Sequence, residues 1–200
     1  MDTKADPTRR AIWIALADQF LDTETRTWIP HTALQIVEAG YPLEEARRIW
    51  RYEVSPAVSI NVWSVAGEWA GWDEEWLCER IESLRGRWPH RPGLIPYLLY
   101  RLQVHFIHGG FTAIERCMEK LEPLAAEERN NMSADLTYLA ELYFDFCVGE
   151  PMRLSAMRKA ELLELYRSTF KPIFAPLVVR DSISGESPRV CRLRIATALT

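Results

Sequence analysis

The chain is poor in the features that bind phosphate, chelate metal or cross a bilayer. Only 9 of its 200 residues are glycine, and neither Gly-x-Gly-x-x-Gly nor Gly-x-x-x-x-Gly-Lys occurs. Nucleotide chemistry built on such loops is excluded, and Gly109-Gly110 reads more simply as a helix stop. No uncharged apolar run approaches the roughly 20 residues that a transmembrane helix needs. The charged start Met1-Asp2-Thr3-Lys4-Ala5-Asp6 also lacks the apolar stretch of a signal peptide. The expectation is a soluble cytoplasmic protein. The four cysteines, Cys78, Cys117, Cys147 and Cys191, lie far apart with no Cys-x-x-Cys pair to hold zinc or cycle redox. Cys78, Cys117 and Cys147 sit in apolar helical runs and read as small buried hydrophobes. Positive charge is short as well: Lys+Arg 24 against Asp+Glu 28 gives −4, which leaves no global field to hold a nucleic acid.

Hydrophobic content of 48% and charged content of 26% are those of a folded globular chain. Asp6-Pro7 predicts an N-cap and a first helix over 7–21, with Ile12, Leu16 and Phe20 at helical spacing. Pro30 opens a second helix that Gly40 stops, and Pro42 starts a third. From Ser55 to Trp72 the period is lost, which predicts a buried loop with one helical turn. Asp73 caps a fourth helix that ends at Gly86. Further helices are predicted over 94–107, 112–121, 133–148 and 155–169, the last two with serine N-caps. Pro172 and Pro176 argue against a long helix near the end, and Val178, Val179, Val190, Leu193 and Ile195 favour extended chain around a turn at 182–188. The predicted fold is mainly α: a bundle of about eight helices in two halves, with a short C-terminal β-hairpin. The halves are an acidic subdomain over 1–86 and a second helical subdomain with the hairpin over 94–200, joined by a linker at 87–93.

His105 and His108 stand three apart on one predicted helix face, a spacing that can share a metal ion, and a metal-dependent hydrolase needs a third ligand that no motif supplies. His31 and His90 complete the histidines, and no Gly-x-Ser-x-Gly elbow accompanies them. The pairs Glu44-Glu45, Glu74-Glu75 and Glu127-Glu128 fall in or before helical first turns, where the helix dipole accounts for them. Arg189, Arg192 and Arg194 read as a solvated strand edge. No catalytic residue, cofactor or metal site is assigned. Residues 1–89 hold 10 Lys/Arg and 15 Asp/Glu, residues 90–200 hold 14 and 13, so a basic partner would be steered to the N-terminal half.

Tryptophan is the abundant feature: 8 in all, with Trp63, Trp69, Trp72 and Trp76 inside fourteen residues. Most of these rings are expected in the core, with Trp72, beside Asp73-Glu74-Glu75, placed outside. The segment Ser64–Trp76, together with Ala15–Glu24, resembles a family of small bacterial cytoplasmic proteins without an assigned activity, over about the first ninety residues. Some relatives of that build look like immunity proteins encoded beside toxins of the type VI secretion pathway. The resemblance implies a non-enzymatic protein that binds and neutralises a cognate toxin, such as a nuclease, through a basic surface on the toxin. Glu68, Trp72, Asp73, Glu74 and Glu75 are the candidate toxin-binding residues. The alternative is a helical adaptor or chaperone for a secreted effector, and either would self-associate as a two-fold homodimer through its terminal β edge.

Overall fold

Asp6 accepts a hydrogen bond from the Arg9 amide at 3.1 Å, and Pro7 takes the first helical position, so helix α1 (Pro7–Ala17) begins where the sequence predicts. The computed structural model describes residues 5–21, 24–58, 71–87, 111–144, 155–178 and 199. A 3-10 turn, Asp18–Phe20, carries α1 onward. Helix α2 (Ile29–Glu38) ends at Gly40, whose φ of +72° lies in the left-handed region. There the Gly40 and Tyr41 amides donate to the Val37 and Ile36 carbonyls at 3.0 and 3.2 Å, a Schellman stop.

Helix α3 runs over 43–58 without a break, as an α segment (Leu43–Ile49), a π turn (Trp50–Val54) and a last α turn (Ser55–Val58). Helix α4 is Glu74–Arg87, α5 covers 111–121, α6 is Ala126–Phe144, and α7 covers 156–178. Helix α7 repeats the composite form of α3: Ala156–Leu165, a π turn at Tyr166–Phe170, then Lys171–Val178.

Both π turns stop two residues before a proline, Pro56 and Pro172. A proline in a regular helix lacks the amide donor and drives its ring against the carbonyl four residues back. Those carbonyls belong to Tyr52 and Ser168, and both lie inside the widened turns. One extra residue per turn relieves the clash and lets each helix pass its proline. Pro176 poses the same problem again, since it cannot donate to the Pro172 carbonyl. Arg116 Nη1 donates to that oxygen at 2.9 Å.

The chain forms two compact units, one of Met1–Thr25 and Gln35–Phe111, the other of Arg26–Leu34 and Thr112–Thr200. In the first, Ile12, Trp13 and Leu16 of α1 are buried, as are Ile49, Trp50 and Val54 of α3 and Leu77 and Ile81 of α4. Trp50 is flanked by Phe20 and Phe111, with ring centroids at 4.7 and 5.0 Å. In the second, Leu136, Leu139, Ala140, Tyr143 and Phe144 form the buried stripe that the sequence predicts. It meets Phe170 and Phe174 of α7, and Phe170 stacks on Phe174 at 4.4 Å. The Arg26 guanidinium lies over the Phe144 ring at 4.2 Å.

The fold is all-α over the described residues, with seven continuous helical segments, and three expectations are corrected. The C-terminal β-hairpin is not supported: no strand occurs among the described residues, Leu199 is helical, and Lys171–Val178 is helix where extended chain was expected. The π turn is the reason, because it removes the obstacle from which the prolines argued. The turn at 182–188 itself, the helix over 94–107 and Arg189, Arg192 and Arg194 lie outside the described residues. So does the linker 87–93, apart from Arg87. Helix α6 starts at Ala126 with Glu127 and Glu128 in its first turn, so Ser133 is a buried mid-helix residue and no cap. Residues 55–58 close α3, so the one helical turn expected within the 55–72 loop is the end of a continuous helix. Across the π turn Ala46, Trp50, Val54 and Val58 are buried at intervals of four, as are Ile49, Glu53 and Ala57, a repeat wider than the helical period the sequence reading sought.

Candidate functional site

Among the buried residues of α3 is one acid. Glu53 is 3% exposed, on the side of the π turn that faces α1. An isolated carboxylate there would lose several kcal/mol of hydration, so its partners decide whether it is tolerated. Arg9 supplies a fork, Nε to Oε2 at 3.0 Å and Nη2 to Oε1 at 2.6 Å. The indole Nε1 of the fully buried Trp13, one helical turn along α1, donates to Oε2 at 2.8 Å. Arg48 Nη2 stands 3.3 Å and Arg85 Nε 3.7 Å from Oε1. The Arg85 guanidinium also lies over the Trp13 ring at 5.3 Å. Glu45 closes the network, accepting from Arg48 Nε and Nη2 at 2.7 and 2.6 Å and from Arg9 Nη2 at 3.0 Å. Burial alone would lower the Arg9 pKa, but the hydrogen bond and charge of Glu53, then those of Glu45, outweigh it and hold Arg9 charged. The Arg48 hydrogen bond, against the opposing effect of burial, takes Glu45 down to about 2.

The start of α4 is of another kind. Asp73 is the N-cap, as the sequence predicts, its Oδ1 accepting from the Trp76 amide at 2.8 Å. Glu74 and Glu75 follow, exposed, in the first turn. Trp72 is half-buried and Trp76 is 43% exposed, with their rings parallel within 4° at a centroid distance of 6.4 Å. The sequence reading chose Trp72 as the outer ring, and the structure gives that place to Trp76. Trp76 also has Arg80 nearby, whose guanidinium carbon is 5.8 Å from the ring centroid and whose Nε donates to the Ala57 carbonyl at 3.0 Å. Helix α4 packs on α1 and α3, and Glu74 is close enough to Asp18 to repel it. Burial, reinforced by that charge, pushes the Asp18 carboxyl up to about 6.

The structure therefore brings together four of the five candidate residues, Trp72, Asp73, Glu74 and Glu75; Glu68 lies outside the described residues, as do Trp63 and Trp69. His105, His108 and His90 also lie outside them, and His31 is exposed on α2. No cluster of three metal-ligating side chains occurs among the described residues. Cys78 and Cys117 are buried free thiols, and burial pushes both pKa values up, which fits their reading as hydrophobes. Cys147 and Cys191 are not among the described residues.

Residues 7–116 match the model of the family described as Domain of unknown function (DUF7079). The chain belongs to that family. The DUF7079 match contains α1 to α4, and with them the Glu53 network and the acidic, aromatic start of α4. No curated protein and no solved structure matches the chain.

Two outcomes follow for this DUF7079 domain. Glu53→Ala strands the Arg9 guanidinium and the Trp13 indole N–H in the core and is expected to cost roughly 3–5 kcal/mol of unfolding free energy in urea. Glu44→Ala, at an ion pair whose Glu44 side chain is 81% exposed, is expected to cost under about 1 kcal/mol; equal losses would contradict the network's role. The second outcome is a pH dependence. A carboxyl whose pKa rises from 3.8 to about 6 on folding favours the folded state below the lower value, and this contribution is lost as pH rises through the upper one. Asp18→Asn should therefore raise the melting temperature relative to the native chain above about pH 6. That advantage should vanish below about pH 4.

Proposed function

We propose that the chain is a binding protein for a basic polypeptide, engaged at the start of α4, and that it neutralises a cognate toxin in the manner the resemblance to immunity proteins implies. It transforms no substrate in this reading. The observation that carries it is Trp76: a large ring, 43% exposed, held beside Trp72 and Arg80 and bordered by three carboxylates.

An exposed tryptophan normally loses side-chain freedom when a partner covers it, and that entropy is subtracted from affinity. Stacking against Trp72, and an arginine over the ring that is anchored to the Ala57 carbonyl, meet much of that cost before binding. Tryptophan is the residue type most enriched at binding hot spots, and carboxylates around such an anchor speed association with a basic surface. The excess of acid over base in residues 1–89 acts in the same direction at longer range.

The test is co-purification with the product of the adjacent gene at low salt, followed by calorimetry. Trp76→Ala should weaken binding by about 2 kcal/mol, about 30-fold, while the fold is kept. Glu74→Gln with Glu75→Gln should slow association and flatten its salt dependence with little effect on dissociation. A complex indifferent to Trp76 would sink the proposed face, and the absence of any complex would sink the immunity reading.

A further inference from the structure

Arg85 is an arginine with no hydrogen-bond acceptor among the described residues. Its side chain is 35% exposed, its guanidinium lies over the Trp13 ring at 5.3 Å, and its Nε is 3.7 Å from Glu53 Oε1, an ion-pair distance too long for a hydrogen bond. It donates no hydrogen bond among the described residues. Arg48, 45% exposed, spends Nε and Nη2 on Glu45 and stands 3.3 Å from the same Glu53 oxygen. Arg9 sits behind both, 12% exposed, with Nη2 2.6 Å from that oxygen.

Three guanidinium groups thus meet on one carboxylate oxygen, and among the described residues Arg9, Arg48 and Arg85 share only Glu45 and Glu53. Neighbouring acids are engaged elsewhere: Glu44 pairs with Arg47, and Glu82 accepts from the Ala5 amide and faces Arg10. Counted over the described residues, three arginines against two carboxylates leave the cluster one positive charge in excess.

We propose that Arg48 and Arg85 form an oxyanion-binding site, taking a phosphate or carboxylate group on the outer side of the Glu53 anchor. Arginine suits the task because its planar fork matches the oxygens of both groups. The Glu53 charge and the Trp13 ring fix the Arg85 guanidinium without consuming its donors, so little freedom remains to be lost on binding. A bound oxyanion would balance the surplus charge and fill those donors. The site lies toward the end of α4 and is independent of the face at its start.

The experiment titrates the full chain with inorganic phosphate and, separately, with acetate, at ionic strength held constant with sodium chloride. The arginine Nε–Hε signals are followed by NMR. A saturable shift of the Arg85 signal is expected, with apparent affinity lowered about tenfold in Arg48→Gln, where that signal remains. Arg85→Lys keeps the charge but loses the fork, and should abolish the saturable shift of the Arg48 signal. Glu44→Gln should change neither. A response to phosphate alone assigns a phosphate group, and a response to acetate as well admits a side-chain carboxylate. Shifts that are absent, that fail to saturate, or that survive both arginine substitutions unchanged would overturn the proposal.

Discussion

The first unit depends on one buried carboxylate. Glu53 is placed on α3, its fork and its indole donor come from α1, and Arg85 reaches it from α4. Burying such a group is favourable only if the hydration it gives up is replaced, and here two charge-assisted hydrogen bonds from Arg9 and one from Trp13 replace it. Apolar packing among Leu16, Val54 and Ile81 supplies the bulk attraction but little direction. The carboxylate supplies the direction, because its donors must converge at hydrogen-bond distance on two oxygens. Together with Arg80, which bonds the Ala57 carbonyl, it fixes α4 against α3 and so sets where Trp76 and its acids stand.

Among the described residues the same backbone device appears once in each unit. A helix that meets a proline ordinarily ends or kinks, yet α3 and α7 pass theirs by widening the preceding turn. The π turn of α3 holds Glu53 and begins at Trp50, whose ring lies between Phe20 and Phe111. That of α7 holds Phe170, between Tyr166 and Phe174. In each, a large buried ring occupies the distorted stretch, so the loss of regular hydrogen bonding is offset by aromatic packing.

How far the sequence could be read follows from the range of the forces involved. Asp6, Gly40, Asp73 and Ser155 mark helix ends correctly because each acts on amides or carbonyls within a few residues. The π turns were illegible because they shift the period of buried residues, and a reading tuned to 3.6 sees the shift as the end of a helix. Glu53 was missed since its meaning lies 40 and 44 residues away in Trp13 and Arg9. A signal was available: it stands four residues from Ile49 and from Ala57, an acid in an apolar row. Among the candidate site residues, the acids were found by type, while the order of the two rings depended on how α4 packs, with Trp72 set against the body and Trp76 left outside.

The start of α4 offers an aromatic ring among carboxylates, and the proposed function rests on that face. The measurement that tests the proposed face most directly is the hydrogen-exchange footprint of the chain with and without the proposed basic partner. The account predicts slowed exchange over residues 71–80 and around Asp18–Phe20, with Ala126–Phe144 unchanged. Protection confined to Ala126–Phe144 and the helix over 156–178, with residues 71–80 exchanging as in the free chain, would contradict it.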